Sequence, residues 1–188
     1  MEISLIRHGR SRHIDHTRTA AKEFRHWVEQ YDSNGVFVEN QYPEFTRNKI
    51  SAASLVITSD LKRSAESAVL LAPKADIISD ACFRETELPA LRNIPWLKLS
   101  PNVWLVLARC LWFAGYSRQC ESKESAKQRA KQAAEQLIGY AQKHQSVALV
   151  GHGFFNRFIA EELQKKGWKG KRKSNAKHWH CTTYTLTH

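Results

Sequence analysis

The sequence is poor in cysteine and in acidic residues, and it has no long uninterrupted hydrophobic run. Its four cysteines are Cys82, Cys110, Cys120 and Cys181, with no CxxC pair among them. This spacing argues against a disulfide scaffold and against a zinc finger. His178, His180 and Cys181 lie close together, but their alternation favours a strand over a closed metal site, which usually needs four ligands. We therefore predict no metal site and no cofactor.

The longest apolar stretch, residues 103–115, is interrupted by Arg109. It is too short and too charged for a transmembrane helix. The N-terminal MEISLIRHG has no basic region followed by a long apolar one, so it does not resemble a signal peptide, and a cytoplasmic location is expected. Residues 103–115 could instead lie on a membrane surface or a partner, but a core or substrate-cap helix is the favoured interpretation.

Positive charge exceeds negative charge by a wide margin. Lysine and arginine total 29 against 18 acidic residues, which gives a net charge of +11. Such a charge favours phosphorylated metabolites, nucleic acid or an anionic membrane as partners. One basic cluster comprises Lys165, Lys166, Lys169, Lys171, Arg172, Lys173 and Lys177, with Trp168 and Trp179 nearby. It would suit a basic nucleic-acid-binding protein, although a solvated loop is favoured.

Short apolar runs alternate with amphipathic segments along the chain. Strands are predicted at residues 2–6, 52–58, 75–78, 147–150 and 178–187, and helices at 17–31, 59–71, 102–113, 122–144 and 154–166. The alternation predicts an α/β fold, a three-layer sandwich with a mostly parallel central sheet flanked by helices. Residues 1–188 are expected to form one domain, with the proline-rich 84–101 irregular and 86–116 a cap or insertion.

Three of the predicted strands end in residues that suit anion chemistry. These ends are Arg7-His8-Gly9, Ser59-Asp60 followed by Arg63, and Gly151-His152-Gly153. In open α/β sheets, ligands bind beyond the carboxyl ends of the strands, so the three ends would build one cationic pocket. The planar guanidinium of arginine matches phosphate oxygens. Ser59-Asp60 also has the composition of a helix N-cap.

Each of these groups has a simpler explanation when taken alone. Arg7-His8 after a strand is typical of a surface loop, and Arg63 near a helix start is typical of a solvated side chain. The glycines on both sides of His152 are harder to explain by packing. The occurrence of all three at matching strand ends is what favours a phosphate pocket.

The segments LIRHGRS (5–11), TSDLKRSAESA (58–68) and ALVGHGFFNRFI (148–159) resemble the signatures of the histidine phosphatase superfamily, also called phosphoglycerate mutase-like. They occur in the order typical of that family. The resemblance implies that His8 is the nucleophile and forms a phosphohistidine. It also implies that Arg7 and Arg63 bind the phosphoryl oxygens and that His152 completes the pocket. No metal is required, because arginine and histidine supply the positive charge.

The resemblance further implies a glutamate as general acid, in the loop after the third strand. Glu85 occupies that place, and Glu87 is the close alternative. The chain departs from the family pattern after RHG, where it has Arg10-Ser11 and, at an expected asparagine, Ile14. Ser11 remains a candidate phosphate ligand, and the substrate stays open.

These residues predict a metal-independent phosphomonoesterase acting on a phosphorylated small molecule. A protein phosphohistidine phosphatase is the nearer alternative, but residues 86–116 are expected to cover the site. A mutase is disfavoured because family mutases are generally longer. Nucleic acid and membrane are disfavoured as partners, and the sequence leaves the oligomeric state open.

Overall fold

The computed structural model describes residues 1–94 and 96–187, and in this part of the chain six strands form one mixed sheet. The strands are β1 (Glu2–Arg7), β2 (Leu55–Thr58), β3 (Ile77–Ser79), β4 (Ser146–Gly151), β5 (Lys169–Gly170) and β6 (Cys181–Thr185). Their order across the sheet is β3-β2-β4-β1-β6-β5. The four strands from β3 to β1 run parallel, and β6 and β5 complete an antiparallel edge.

The described residues also form six α-helices. These are α1 (Ala21–Ser33), α2 (Glu44–Ser51), α3 (Lys62–Leu71), α4 (Pro101–Phe113), α5 (Lys123–His144) and α6 (Gly153–Lys165). None of the helices in residues 1–94 and 96–187 combines the length and hydropathy that a membrane span needs. The four cysteines are free.

The helices cover both faces of the sheet, which confirms the predicted three-layer α/β architecture. Leu5 and Leu149 point to one face, where they pack with α5 and α6 around Leu137. Ile6 and Val150 point to the other face and meet α2 and α3. This alternation follows from the two-residue period of a strand. The central residues of β1 and β4 are buried on both faces, and those of β4 (147–150) are all apolar, whereas β1 also has the buried Ser4.

A third hydrophobic cluster lies outside the two layers that pack on the sheet. It joins α1 to α4 through Phe24, Trp27 and Trp104. Residues 88–99 contribute further leucines to it. The predicted helix at 17–31 begins at residue 21, because Thr19 pairs its backbone with Leu99 and ties the chain to this cluster.

One helix was missed, and one local prediction was wrong. Helix α2 was not foreseen, because only Thr46 and Ile50 of its eight residues are buried and its periodicity is weak. Ser59-Asp60 does not cap α3, since the N-cap is Leu61 and no side chain bonds there. The side chains of Ser59 and Asp60 make tertiary contacts instead.

Candidate active site

The ends of β1, β2 and β4 bring three segments to one edge of the sheet, as the sequence predicts. β4 lies between the other two strands. The residues that directly follow them are His8, Ser59 and His152, and each is at most 2% exposed. The backbone N–H of His8 donates to the carbonyl of Gly151 at 2.9 Å, which joins two of the segments.

The His8 ring is held in one tautomer by its own loop. Its Nδ1 lies 2.7 Å from the carbonyl oxygen of Gly9, which can only accept, so Nδ1 carries the proton and Nε2 keeps a lone pair. Burial lowers the pKa of His8 well below 6.5, and His152, Arg63 and Arg7 lower it further. The neutral ring is therefore the stable form in this pocket, and neutral imidazole is the form that can act as a nucleophile.

Gly9 allows the His8 loop to lie against the segment that precedes β6. A Cβ at this position would lie 2.0 Å from the indole of Trp179, so any larger residue would displace the loop. The N–H of Trp179 donates to the carbonyl of Arg7, and His178 Nδ1 donates to the carbonyl of His8 at 3.0 Å. This contact of His178 could not be predicted from the sequence, because nothing local links it to a residue 170 positions away.

His152 packs beside His8, with 5.1 Å between ring centroids. Its Nε2 lies 2.7 Å from Ser59 Oγ, while its buried Nδ1 has no partner within the described residues. Burial lowers the pKa of His152 well below 6.5, with smaller contributions from Arg63 and Arg7. Ser59, whose sequence context predicted a helix cap, thus orients the second histidine.

Arg7 and Arg63 carry buried cations beside these rings. The guanidinium of Arg63 is 3% exposed, donates to Asp32 Oδ1 at 2.5 Å and lies 4.8 Å from the ring of Tyr31. Arg7 donates to the carbonyl of Ala176, and burial lowers its pKa. In the described part of the chain, the buried Nε atoms of both arginines lack a partner. Unpaired buried donors are costly, and a bound anion would satisfy them.

The two candidate acids occupy different surroundings. Glu85 lies at the start of α6, where Oε2 accepts from Phe154 N at 3.0 Å and Oε1 from Phe155 N at 2.8 Å. To donate a proton, its carboxyl group would have to exchange one of these bonds. Glu87 is exposed and accepts from the backbone N–H of Glu121 at 2.7 Å.

Ser11, the third predicted phosphate ligand, makes contacts with its own loop and with Val36. Its hydroxyl accepts from the N–H of His13 at 3.2 Å, and its backbone pairs with Val36. The described residues that line the cavity beside Arg7 and His8 do not include Ser11. Its proposed contact with phosphate stays a prediction.

A cavity of about 750 Å³ opens above this pocket. Its floor includes Arg7, His8, Arg63 and Glu85, whereas His152 is fully buried and does not line it within the described residues. Both candidate acids line the cavity. The side chains around the cavity are mostly apolar, and we call them the apolar wall. They are Phe24, Trp27, Val28, Tyr31, Leu61, Leu88, Pro89, Leu91, Leu105, Val106, Phe113 and Phe154.

Solved structures with the same fold include enzymes that act on phosphate esters. A mycobacterial glucosyl-3-phosphoglycerate phosphatase, solved in complex with inorganic phosphate, is 18% identical, with a TM-score of 0.54 over 87% of this chain and 79% of that one. A Thermus thermophilus protein is also 18% identical, with a TM-score of 0.53 over 97% of this chain and 92% of its own. No curated protein sequence is significantly similar to the chain.

A family model described as "Histidine phosphatase superfamily (branch 1)" matches residues 38–188. This range includes two of the three signature segments, and the first, around His8, lies on the adjoining strand end. The resemblance seen in the sequence is thereby confirmed. The chain belongs to branch 1 of the histidine phosphatase superfamily.

Proposed function

We propose that the chain is a phosphomonoesterase in which His8 is phosphorylated during turnover. The observation that carries the proposal is the state of His8, which is buried, neutral and held through Nδ1 with Nε2 free. It stands beside two arginines that have unpaired buried donors. This combination suits attack on a phosphoryl group whose oxygens need charge stabilisation.

In the first step, the lone pair on His8 Nε2 attacks phosphorus and the bond to the ester oxygen breaks. Glu85 gives its proton to the departing alkoxide. Arg7 and Arg63 hold the equatorial oxygens, and His152 adds its unpaired Nδ1 to the pocket. In the second step, water attacks the phosphohistidine, the phosphorus–nitrogen bond breaks and Glu85 takes the proton. Inorganic phosphate leaves, and His8 is neutral again.

The enzyme is proposed to need no metal ion. In residues 1–94 and 96–187, no three potential ligands cluster in a way that would hold a metal. The positive charge in the proposed mechanism comes from the guanidinium groups of Arg7 and Arg63.

The nucleic-acid alternative has little support in the geometry. Trp168 and Trp179 would have to stack on bases, yet they are 2% and 3% exposed. Lys165 and Lys166 form ion pairs with Glu162 and Glu135. The cavity likewise favours a small molecule over a protein phosphohistidine, because His8 lies at its floor and is only 2% exposed.

The test is hydrolysis of p-nitrophenyl phosphate by the wild type, by His8→Ala and by His16→Ala, an exposed histidine in the same segment. We expect His8→Ala to lose activity by about 10³-fold or more while His16→Ala keeps it. Activity that survives His8→Ala would refute the nucleophile. Loss of wild-type activity with a chelator would refute the metal-free mechanism.

A further inference from the structure

We infer that the alcohol portion of the substrate is apolar and bulky, so that the enzyme prefers alkyl or aryl phosphates over sugar phosphates and phosphoglycerates. This inference rests on the proposed function, because it concerns the group that leaves from phosphorus. It comes from the composition and charge of the apolar wall above His8.

One side of the cavity is formed by a row of stacked aromatic side chains that begins at the phosphate pocket. Tyr31 lies against the guanidinium of Arg63, and its ring stacks with Trp27 at 5.4 Å between centroids. Trp27 in turn stacks with Phe24 at 6.1 Å. All three aromatic residues are on α1 and line the cavity. Phe24 is 3% and Trp27 9% exposed, whereas Tyr31 is partly exposed, so a group attached to a phosphate at Arg63 would meet aromatic surface chiefly at Tyr31.

The other side of the cavity is also apolar. Phe154 lies at the start of α6 and meets Phe113 at 6.2 Å. Leu105 and Val106 of α4 and Leu88 add aliphatic surface. A cavity of about 750 Å³ lies within the ~300–1,000 Å³ typical of small-molecule sites, so it has room for far more than a phosphate.

The charged side chains among the described lining residues are already engaged by the protein. Arg25 pairs with Glu29 and bonds Gln119, Arg84 forms a double hydrogen bond with Asp60, Asp32 binds Arg63, and Glu87 accepts from Glu121 N. Arg109 donates to the hydroxyl and carbonyl of Thr86 and to the carbonyl of Glu87. A carboxylate or a sugar hydroxyl would have to share these groups with their present partners, so it gains less from them than it would from unpaired groups.

The experiment measures kcat/KM for ethyl, butyl, hexyl and octyl phosphate, with glycerol phosphate, glucose 6-phosphate and 3-phosphoglycerate as hydrophilic comparisons. The n-alkyl esters have leaving groups of similar basicity, so their differences report burial of the chain and not chemistry. We expect kcat/KM to rise by about threefold to fourfold per methylene until the cavity is filled. The hydrophilic esters should fall below butyl phosphate.

A matched pair of double variants separates the wall from general surface effects. Val28→Thr with Val106→Thr places hydroxyls on two sides of the cavity at nearly constant volume. Val69→Thr with Val103→Thr makes the same change at two exposed valines outside the described cavity lining. The first variant should reduce the preference for octyl over ethyl phosphate by about tenfold, and the second should leave it unchanged.

If kcat/KM did not change from ethyl to octyl phosphate, or if the hydrophilic esters were preferred, the inference would be overturned and the proposed function would remain intact. Failure to hydrolyse any ester would sink the proposed function. Calorimetric titration of His8→Ala with butyl and octyl phosphate then decides the inference without turnover. Tighter binding of the octyl ester supports it, and equal binding contradicts it.

Discussion

The floor and the wall of the cavity are built by different parts of the chain. The floor lies at the carboxyl edge of the central sheet, where Arg7 ends β1 and His8 follows it, Arg63 lies on α3 and Glu85 lies in the segment after β3. Its key groups, His8 and Arg63, are at most 3% exposed. The wall comes from α1, α4 and residues 88–91, which pack in a cluster of their own. The floor is cationic and has unpaired donors, whereas the wall is apolar and its charges are paired.

In the proposed function, the floor carries out phosphoryl transfer and the wall selects the alcohol portion of the substrate. A sheet edge fixes groups within a rigid frame, which phosphoryl transfer requires because it depends on positioning. A cluster held apart from the sheet can change its side chains without disturbing that frame. Substitutions of His8 and of the two floor arginines should therefore affect every substrate alike. Substitutions of Glu85, which would protonate the leaving oxygen, or of the wall should affect substrates according to their alcohol.

The largest expected contrast is between two arginines that line the cavity. Arg63→Met removes a buried guanidinium from the floor and should lower kcat/KM for p-nitrophenyl phosphate by about 10²–10³-fold. Arg84 is exposed and pairs with Asp60, so Arg84→Met should change kcat/KM by less than about threefold. Steady-state kinetics on variants checked by circular dichroism measures both.

Arg63→Lys is the control for a folding defect in Arg63→Met. It keeps the charge but loses the planar fork, so it should recover only part of the activity. Equal losses in the Arg63 and Arg84 variants would contradict the distinction between the floor and the rest of the cavity lining.

The next contrast concerns the two glutamates. Glu85→Gln should lower kcat for butyl phosphate by about 10²-fold or more, because alkoxide departure needs a proton. Its effect on p-nitrophenyl phosphate should be much smaller, since nitrophenolate is a weak base. Glu87→Gln should change neither rate by more than about twofold. The ratio of the two substrates is the readout, because loss of the Glu85 bonds to Phe154 and Phe155 alone would slow both equally.

If Glu87→Gln instead showed the leaving-group dependence, Glu87 would be the acid.

The smallest expected effect is a pH dependence of the free energy of unfolding, which arises from the two buried histidines of the site. Burial lowers the pKa of His8 and His152 in the folded chain, whereas unfolded histidine titrates near 6.5. Below pH 6.5 the unfolded state therefore binds protons that the folded state does not. The free energy of unfolding should fall by up to about 1.4 kcal/mol per pH unit for each histidine as the pH is lowered.

Urea unfolding between pH 5 and pH 7 measures this slope. His152→Asn should reduce this slope by the contribution of one histidine, up to about 1.4 kcal/mol per pH unit. Val106→Thr in the wall should leave the slope unchanged. The acid limb of kcat/KM should also lie below pH 6.5, since His8 stays neutral there. An unaltered slope in His152→Asn would contradict the buried neutral state.

The floor was largely predictable from the sequence, and the wall was not. Arg7, His8 and His152 follow apolar runs that only a buried strand explains, and the carboxyl ends of parallel strands share one edge. Ser59 was misassigned because its partner, His152, is 93 residues away. Local sequence cannot show such a contact.

Helix α1 was correctly recognised from the spacing of Phe24, Trp27, Val28 and Tyr31, although it begins at residue 21 and not at residue 17. The same spacing suits a core face, however, and nothing in it indicates a face that borders a cavity. That outcome depends on how α1 packs against α4 and residues 88–99, which are joined only by tertiary contacts. The irregular 84–101 segment has no periodicity from which its packing could be inferred.

The most direct test of the account is to trap the phosphorylated enzyme. The wild type is mixed rapidly with p-nitrophenyl phosphate, quenched in alkali to preserve phosphohistidine, digested and analysed by mass spectrometry. The account predicts one phosphoryl group on the peptide that contains His8, located on that residue and absent from His8→Ala. A phosphoryl group on another residue, or turnover with no phosphohistidine at any time point, would contradict it.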